Sequence, residues 1–123
     1  MAVTQSRDNR TIIAGADLSA SQFIFVSQDA AAKAIVTVAG VASFGLLEVG
    51  AGTDKPCTVT RTGKVMVECG GDVTLAGNIA ADAAGKAVDA TTGDIILGTA
   101  AYEAGVAGLI IAIELSTAGN VSA

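Results

Sequence analysis

The sequence contains no histidine and no tryptophan, and aromatic residues make up only 3% of its 123 residues. Histidine is the commonest general base and metal ligand near neutral pH, so its absence removes the usual centre of acid–base or metal chemistry. Charged residues are also scarce, at 15%, whereas hydrophobic residues reach 51% and are accompanied by 15 Gly. This balance excludes intrinsic disorder, which requires low hydrophobicity and high charge.

Long apolar runs are missing as well. The longest uncharged and nearly apolar stretch, Ala104–Ile113, has about half of the ~20 residues that a membrane-spanning helix needs. The N-terminal letters MAVTQSRDNR place polar and charged residues where a signal peptide has its apolar region, so synthesis in the cytoplasm without export is expected. A net charge of −5 and a pI near 4.4 argue against nucleic acid and anionic membranes as partners.

The mean hydropathy of +0.60 is high for a chain with neither a membrane span nor a signal peptide. Small side chains each bury little area, so a 12.0 kDa core of Ala, Gly and Val contributes modest stability. Burial of further surface between subunits would account for the hydropathy and supply the missing stability. A homo-oligomer is therefore predicted.

Short apolar runs separated by Gly, Asp, Asn and Ser predict an all-β fold, a small β-barrel or sandwich built of short strands and hairpins. A single β-domain is expected over residues 18–123, preceded by an extended N-terminal arm over residues 1–17. Only Gln28–Lys33 has a helical composition, and it is too short to stand alone. No repeat is found at the periods typical of solenoids or propellers. The predicted strands are Gln22–Ser27, Ala34–Val38, Phe44–Val49, Pro56–Thr60, Lys64–Cys69, Ile79–Asp82, Lys86–Asp89, Ile95–Ala101 and Leu109–Leu115.

A first hairpin is predicted in CTVTRTGKVMVEC. A three-residue loop, Arg61-Thr62-Gly63, pairs Val59 with Val65 and Cys57 with Val67, which separates a buried face from a mostly polar one. Gly63 then lies at the loop position that needs a positive φ.

A second hairpin is predicted in ADAAGKAVD, with Ala83-Ala84-Gly85 as its loop. This register places Asp82 opposite Lys86 as an ion pair and Ala81 opposite Ala87. The next partners outward, Ile79 and Asp89, fit less well, so the strand pair is expected to end early.

Cys57 and Cys69 are the only thiols. In the predicted first hairpin they are diagonal neighbours, a placement that does not favour a disulfide, and the cytoplasmic setting disfavours it further. They are interpreted as two small core residues, and without His or further Cys they fall short of a zinc site.

The carboxylates follow turn residues or end apolar runs, where they cap backbone groups or stay solvated. Neither an Asp-x-Asp-x-Asp calcium spacing nor a phosphate-binding loop is present. The chain is therefore not expected to be an enzyme, and no cofactor or metal site is predicted.

The three phenylalanines have two possible locations. Phe23 and Phe25 are two residues apart on one face of a predicted strand, and Phe44 follows in a later strand. They can form the centre of the core, or they can lie at a subunit interface, where aromatic residues are enriched. Both interpretations stay open at the level of the sequence.

From Pro56 to Leu115 the order of strands and turns resembles a known family. The letters GKVMVECGGDVTLAGNIAADAAGKAVDA and GDIILGTAAYEAGVAGLIIAIEL are similar to the small capsid cement, or head decoration, proteins of tailed bacteriophages. Members of that family are compact β-proteins that sit as oligomers, often trimers, on the outside of the mature head. The positions that carry over are Gly70, Gly71, Gly77, Gly85, Gly98, Gly105 and Gly108, with the strand positions Ile95, Leu97, Ile111 and Ile113.

The resemblance implies a structural capsid decoration protein of the virion. Its partners would be the major capsid protein and further copies of itself, with a trimer favoured, on the outer surface of the capsid. We expect the N-terminal arm to add to capsid protein edges by strand pairing, with Thr4, Gln5, Arg7 and Arg10 as contact residues. A merely unstructured N-terminus is the alternative.

Two other functions are weighed against this one. VECGGDVTLAG also resembles the strand–turn–strand sequence of biotinyl and lipoyl domains, with Lys86 just after the second hairpin turn, which would make the chain a β-barrel carrier or ligand-binding module. The context of a ligase target is missing from it. A small enzyme using two Asp residues is the third interpretation, and it requires a pocket of convergent carboxylates.

Overall fold

In the computed structural model, residues 9–19, 21–37, 39–40 and 43–116 are described. This part of the chain is all β, as predicted, and contains no helix that could cross a membrane. Its ten strands are β1 (Asn9–Ile13), β2 (Ile24–Gln28), β3 (Ala34–Val36), β4 (Gly45–Val49), β5 (Pro56–Thr60), β6 (Gly63–Glu68), β7 (Asn78–Ala81), β8 (Ala87–Asp89), β9 (Gly98–Thr99) and β10 (Ile110–Leu115).

The ten strands form two antiparallel sheets of five, and the second sheet repeats the first. The strand order is β1-β5-β4-β2-β3 in one sheet and β6-β10-β9-β7-β8 in the other. Each strand from β6 to β10 thus occupies the place that its counterpart from β1 to β5 occupies. We call residues 9–61 the first half and residues 64–115 the second half.

The backbone details repeat together with the topology. Ala14 donates a hydrogen bond to the Lys55 carbonyl at 2.8 Å, and Cys69 donates one to the Leu109 carbonyl at 2.8 Å. Left-handed backbone conformations recur at equivalent positions in the pairs Phe23 and Ala76, Ala32 and Gly85, Gly40 and Gly93, and Asp54 and Gly108. The described residues therefore contain a tandem duplication of one five-stranded unit, a repeat longer than those searched for in the sequence.

Each sheet curls until its two edge strands meet. A parallel bridge joins Ala14, directly after β1, to Ala34, the first residue of β3, and an equivalent bridge joins Cys69 to Ala87. Closure of this kind satisfies edge groups that would otherwise pair with other chains. Each half is thus a small barrel that encloses apolar side chains of its own.

The core consists of two clusters at equivalent positions. The cluster of the first half includes Ala14, Leu18, Val26, Leu47 and Val59, and that of the second includes the counterparts Cys69, Val73, Ile79, Ala100 and Ile113. The second cluster also contains two side chains of the first half, Phe25 and Leu46. These two residues join the halves into one apolar interior.

All nine predicted strands are present, β5 with the predicted ends and the other eight with shifted ends, although Val38 lies outside the described residues. β1 was not predicted, and it places residues 9–13 of the expected arm in the first sheet as a partner of β5. Gln28–Lys33, the one segment with a helical composition, ends β2 and forms the turn into β3 instead of a helix. Its left-handed residue, Ala32, is incompatible with a helix.

The predicted hairpin between β5 and β6 is wrong. β5 pairs with β1 and β4, whereas β6 pairs with β10 in the other sheet, so Val59 and Val65 are not partners. Gly63 does have a positive φ, of 108°, but it starts β6 at the junction between the halves. Cys57 and Cys69 consequently lie in different core clusters instead of one sheet face.

The second predicted hairpin is confirmed in its full register, including the pair of Ile79 with Asp89 that was expected to fail. Asp82 shapes its turn, because Oδ1 accepts hydrogen bonds from the backbone N–H groups of Ala84 and Lys86, both at 2.9 Å. The amine of Lys86 pairs with Glu68 at 2.8 Å, which differs from the ion pair with Asp82 that was predicted.

The same turn occurs in the first half, where Asp29 Oδ1 accepts from the N–H groups of Ala31 at 2.8 Å and Lys33 at 3.0 Å. Replacing either Asp with alanine removes two hydrogen bonds from a tight turn. We expect Asp82→Ala and Asp29→Ala each to lower the free energy of unfolding by about 1–2 kcal/mol. Urea unfolding measures this loss, and Asp→Asn at the same positions should retain most of the stability because the amide oxygen still accepts.

Candidate interaction surface

Exposed apolar side chains are concentrated in the second half. Six of the eight large hydrophobic residues exposed in the described chain belong to it: Met66, Leu75, Tyr102, Val106, Leu109 and Ile110. Single exposed apolar residues are common on protein surfaces, but a concentration on one part of a molecule marks an interaction site.

Four of these residues lie on or beside two loops that are hydrogen-bonded to each other. Val73 and Gly105 exchange two backbone hydrogen bonds, of 2.9 and 3.0 Å, which hold the loop containing Leu75 against the loop containing Val106. Leu109 ends the second loop and Ile110 begins β10. Leu75, Val106, Leu109 and Ile110 are here called the apolar end, and their side chains are 42–58% exposed.

The duplication shows that the fold does not require these side chains. In the second half, the Leu109 N–H donates a hydrogen bond to the Val106 carbonyl at 3.0 Å. The equivalent loop of the first half has the same hydrogen bond, from the Lys55 N–H to the Gly52 carbonyl at 3.0 Å. Gly52 and Lys55 therefore build the turn that Val106 and Leu109 build in the second half. Since the turn forms without apolar side chains, the exposed apolar surface of the second half has a reason other than folding.

A polar group lies on the outer surface of the second half. Lys64 lies over the ring of Tyr102, with its amine 4.5 Å from the ring centre, and the Tyr102 hydroxyl donates to Glu114 at 2.5 Å. That hydrogen bond raises the pKa of Tyr102, so the hydroxyl remains a protonated donor. These contacts orient the exposed ring and do not form a pocket of convergent carboxylates.

The three phenylalanines have different environments. Phe25 is completely buried and belongs to the core of the second half, so its side chain is not on an accessible surface. Phe44 is half-buried, packs on the core of the first half, and carries the Arg61 guanidinium 4.5 Å above its ring. Phe23 is half-buried with φ of 61°, and its carbonyl accepts the N–H of Glu68 at 2.8 Å.

The predicted capsid-contact residues Thr4, Gln5 and Arg7 lie outside the described residues. Arg10 lies exposed on β1, an edge strand of the first sheet, opposite Val59 of β5. The contact role of these four residues remains a prediction. The apolar end was not predicted from the sequence, because its residues belong to turns and apolar runs whose exposure is determined only by the fold.

Both cysteines are free and buried. Burial raises the pKa of the Cys57 thiol, and burial with the nearby carboxylates of Glu103 and Glu68 raises that of Cys69. Thiols react as thiolates, so both should react slowly at neutral pH. We expect Ellman's reagent to label neither thiol rapidly in the native protein and both after addition of denaturant, and rapid native labelling would contradict the burial of these side chains.

Lys86, the candidate carrier lysine, follows the turn of the β7–β8 hairpin and is held by Glu68. The hydrogen bond to Glu68 raises the pKa of the Lys86 amine. Because acylation requires the neutral amine, this environment adds nothing in favour of a carrier role. No group of three or more Cys, Asp or Glu side chains within the described ranges is arranged to hold a metal ion.

The fold has a counterpart among solved structures. The chain is similar to the crystal structure of the N base of head fiber gp8.5 in bacteriophage phi29, with a TM-score of 0.71 and 13% sequence identity. The match covers 95% of this chain and 100% of that one. No family model and no curated protein matches the sequence. At this identity the similarity establishes a shared fold.

Proposed function

We propose that the protein is a structural component of a tailed-phage head that decorates the outer surface of the capsid as an oligomer and stabilises the shell. The single observation that carries this proposal is the apolar end, an exposed apolar surface that the duplicated fold does not need. The shared fold with a phage head fiber base supports the same location. The sequence resemblance to capsid cement proteins supports it independently, since it rests on turn and strand positions.

Decoration stabilises a shell through linkage. A protein that binds the assembled shell and not the free capsid subunit shifts the equilibrium toward the assembled form by mass action. An oligomer placed at a symmetric junction contacts several capsid subunits together, so contacts that are weak singly combine through effective concentration. The apolar end supplies the apolar part of such a contact, because Val106 and Leu109 are 58% and 46% exposed in the protomer.

The test is co-sedimentation of the protein with purified, expanded heads of the phage that encodes it. The variant Leu109→Lys places in the second half the residue that the first half has at the same turn, Lys55, so the fold should be retained. We expect head binding to weaken by about tenfold or more, because burying a lysine in place of an exposed leucine costs at least ~1.4 kcal/mol.

The matched control is Val49→Lys, which introduces the same charge at an exposed apolar residue of the first half. It should bind heads as the natural sequence does. Equal binding by Leu109→Lys and the natural sequence would exclude the apolar end as the docking surface. A protein that does not co-sediment with heads under any condition would overturn the proposed function.

A further inference from the structure

The two halves contact each other through different surfaces. The N–H of Phe25 donates to the Gly85 carbonyl at 2.7 Å, and the N–H of Gly40 donates to the Ala81 carbonyl at 3.1 Å. A third bond runs from Glu68 N–H to the Phe23 carbonyl, at 2.8 Å. We call Phe23, Phe25 and Gly40 the head face of the first half, and Glu68, Ala81 and Gly85 the tail face of the second half.

The tail face of the second half is not the equivalent of the head face of the first. The first-half residues equivalent to the tail face are Ile13, Gln28 and Ala32. The second-half residues equivalent to the head face are Ala76, Asn78 and Gly93. The contact is therefore heterologous, a head-to-tail arrangement, rather than a two-fold one. Each protomer consequently has an unused head face on its second half and an unused tail face on its first half.

The exposure of these residues agrees with the assignment of occupied and unused faces. Phe25, Ala81 and Gly85 are buried where the halves meet. Their counterparts Asn78, Gln28 and Ala32 are all exposed. The difference arises because the second copy of the interface has no partner within one protomer.

The unused faces keep the backbone geometry of the occupied ones. Ala76 has φ of 66°, close to the 61° of Phe23, and Ala32 has φ of 61°, close to the 76° of Gly85. A left-handed conformation costs an alanine roughly 1 kcal/mol, so it persists only where the surrounding structure imposes it. Both unused faces thus keep the backbone conformation of the occupied ones. The tail face of the first half also carries the Cβ of Ala32, and a Cβ at the equivalent Gly85 would lie 2.7 Å from the Phe25 carbonyl oxygen, so the contact between copies must be slightly wider than the contact between the halves.

We propose that the head face of the second half binds the tail face of the first half in another copy of this chain, repeating the head-to-tail contact that joins the halves. The bonds expected between copies run from Asn78 N–H to the Ala32 carbonyl and from Gly93 N–H to the Gln28 carbonyl. Each added copy leaves the same two faces unused until the assembly closes, so we expect a closed ring whose copy number is set by the rotation between neighbouring copies. The inference deepens the oligomer of the proposed function and does not depend on the capsid.

The side chains differ between the junction inside a protomer and the junction between copies. Within the protomer, Phe25 and Leu46 share a core cluster with Val65, Ala81 and Leu115. At the unused head face, Asn78 and Thr99 occupy the places of Phe25 and Leu46. At the unused tail face, Val65, Ala81 and Leu115 are replaced by Arg10, Gln28 and Arg61. The junction between copies is therefore polar, and it does not bury the apolar surface from which an oligomer was predicted; that surface is the apolar end.

A cysteine pair tests the contact directly. An ideal Cβ on Gly85 lies 3.5 Å from the Cβ of Ile24, within the range of a disulfide. The equivalent pair between copies is Ala32 and Gly77. We expect the double variant Ala32→Cys/Gly77→Cys, with no heads present, to form intermolecular disulfides under mild oxidation roughly tenfold faster than either single variant. Non-reducing electrophoresis should show a ladder that ends at one ring size, and a trimer is the size that the sequence resemblance implies.

Adding Asn78→Arg to the cysteine pair should suppress the cross-link, whereas Thr53→Arg, at an exposed turn outside both faces, should not. In the natural background Asn78→Arg should lower the molar mass measured by light scattering, with an unchanged circular dichroism spectrum. Cross-linking no faster than in the single variants, or a natural protein that is monomeric at ~100 μM, would overturn the inference. Cross-linked rings that fail to bind heads would overturn only the capsid role.

Discussion

Replacing Phe25 with alanine is expected to lower the free energy of unfolding by about 4 kcal/mol, the middle of the range for removing a buried aromatic side chain. Phe25 is completely buried and belongs to the core of the second half although it comes from β2 of the first. Its loss leaves a cavity at the junction of the two halves. Neither half can close this cavity without moving against the other, so little of the loss should be recovered.

The same change should reduce the cooperativity of unfolding. Phe25 and Leu46 are the side chains by which the first half enters the core of the second. With Phe25 removed, we expect a smaller dependence of the unfolding free energy on urea, because the halves no longer unfold as one unit. Phe25→Leu is the control and should cost less than about 1.5 kcal/mol. A Phe25→Ala variant as stable and as cooperative as the natural protein would show that the junction contributes nothing.

The second large loss of stability is expected on replacing Gly45 or its counterpart Gly98, a glycine position that occurs in both halves. A Cβ on Gly45 would lie 2.5 Å from the Thr60 carbonyl oxygen, and a Cβ on Gly98 would lie 2.5 Å from that of Glu114. These are backbone atoms of the adjacent strand and cannot rotate away. Gly45→Ala and Gly98→Ala must therefore separate β4 from β5, or β9 from β10, and each should cost about 3 kcal/mol.

Gly52→Ala provides the control for this pair, since its Cβ would have no atom closer than 4.0 Å. It should be neutral or stabilising by about 0.5 kcal/mol, through the lower entropy of the unfolded chain. Thermal unfolding of the three variants measures the difference. Tolerance of alanine at Gly45 or Gly98 would mean that the strands there are farther apart than described.

The strands could be predicted from the sequence because apolar runs bounded by Gly and Asp report local structure. The local pattern located nine strands, together with the turn of the β7–β8 hairpin and its inner pair of Ala81 with Ala87, because the turn residues Asp82 and Gly85 set the geometry. It missed β1, because NRTII begins with polar and charged residues and reads as an irregular segment. The strand is held by β5, a partner distant in sequence.

Pairing between strands was harder to predict, since alternation shows which side chains are buried but not which strand lies alongside. Val59 and Val65 alternate correctly for a hairpin, and each instead faces the core of its own half. The duplication did leave a trace in the sequence, in DAAAKA at residues 29–34 and DAAGKA at residues 82–87. At the same spacing, Gly40 aligns with Gly93 and Gly45 with Gly98.

The apolar end could not be predicted, because exposure is a property of the folded chain. Leu109 and Ile110 belong to the same apolar run as Ile111 and Ile113, which are buried. Only the register of β10 against β6 determines which members of that run face outward. The head and tail faces could not be predicted from the sequence either, because they are recognised only by comparing one folded half with the other.

Covalent duplication gives this molecule a freedom that a single barrel lacks. In an ancestral ring of identical barrels, every boundary would carry the same amino acids, so one mutation would alter all boundaries together. Once two barrels share a polypeptide, Phe25 and Asn78 can differ, so the boundary inside the chain and a boundary between copies can have different strengths. In the proposed ring, the boundary inside each chain would be permanent and the boundaries between copies separable.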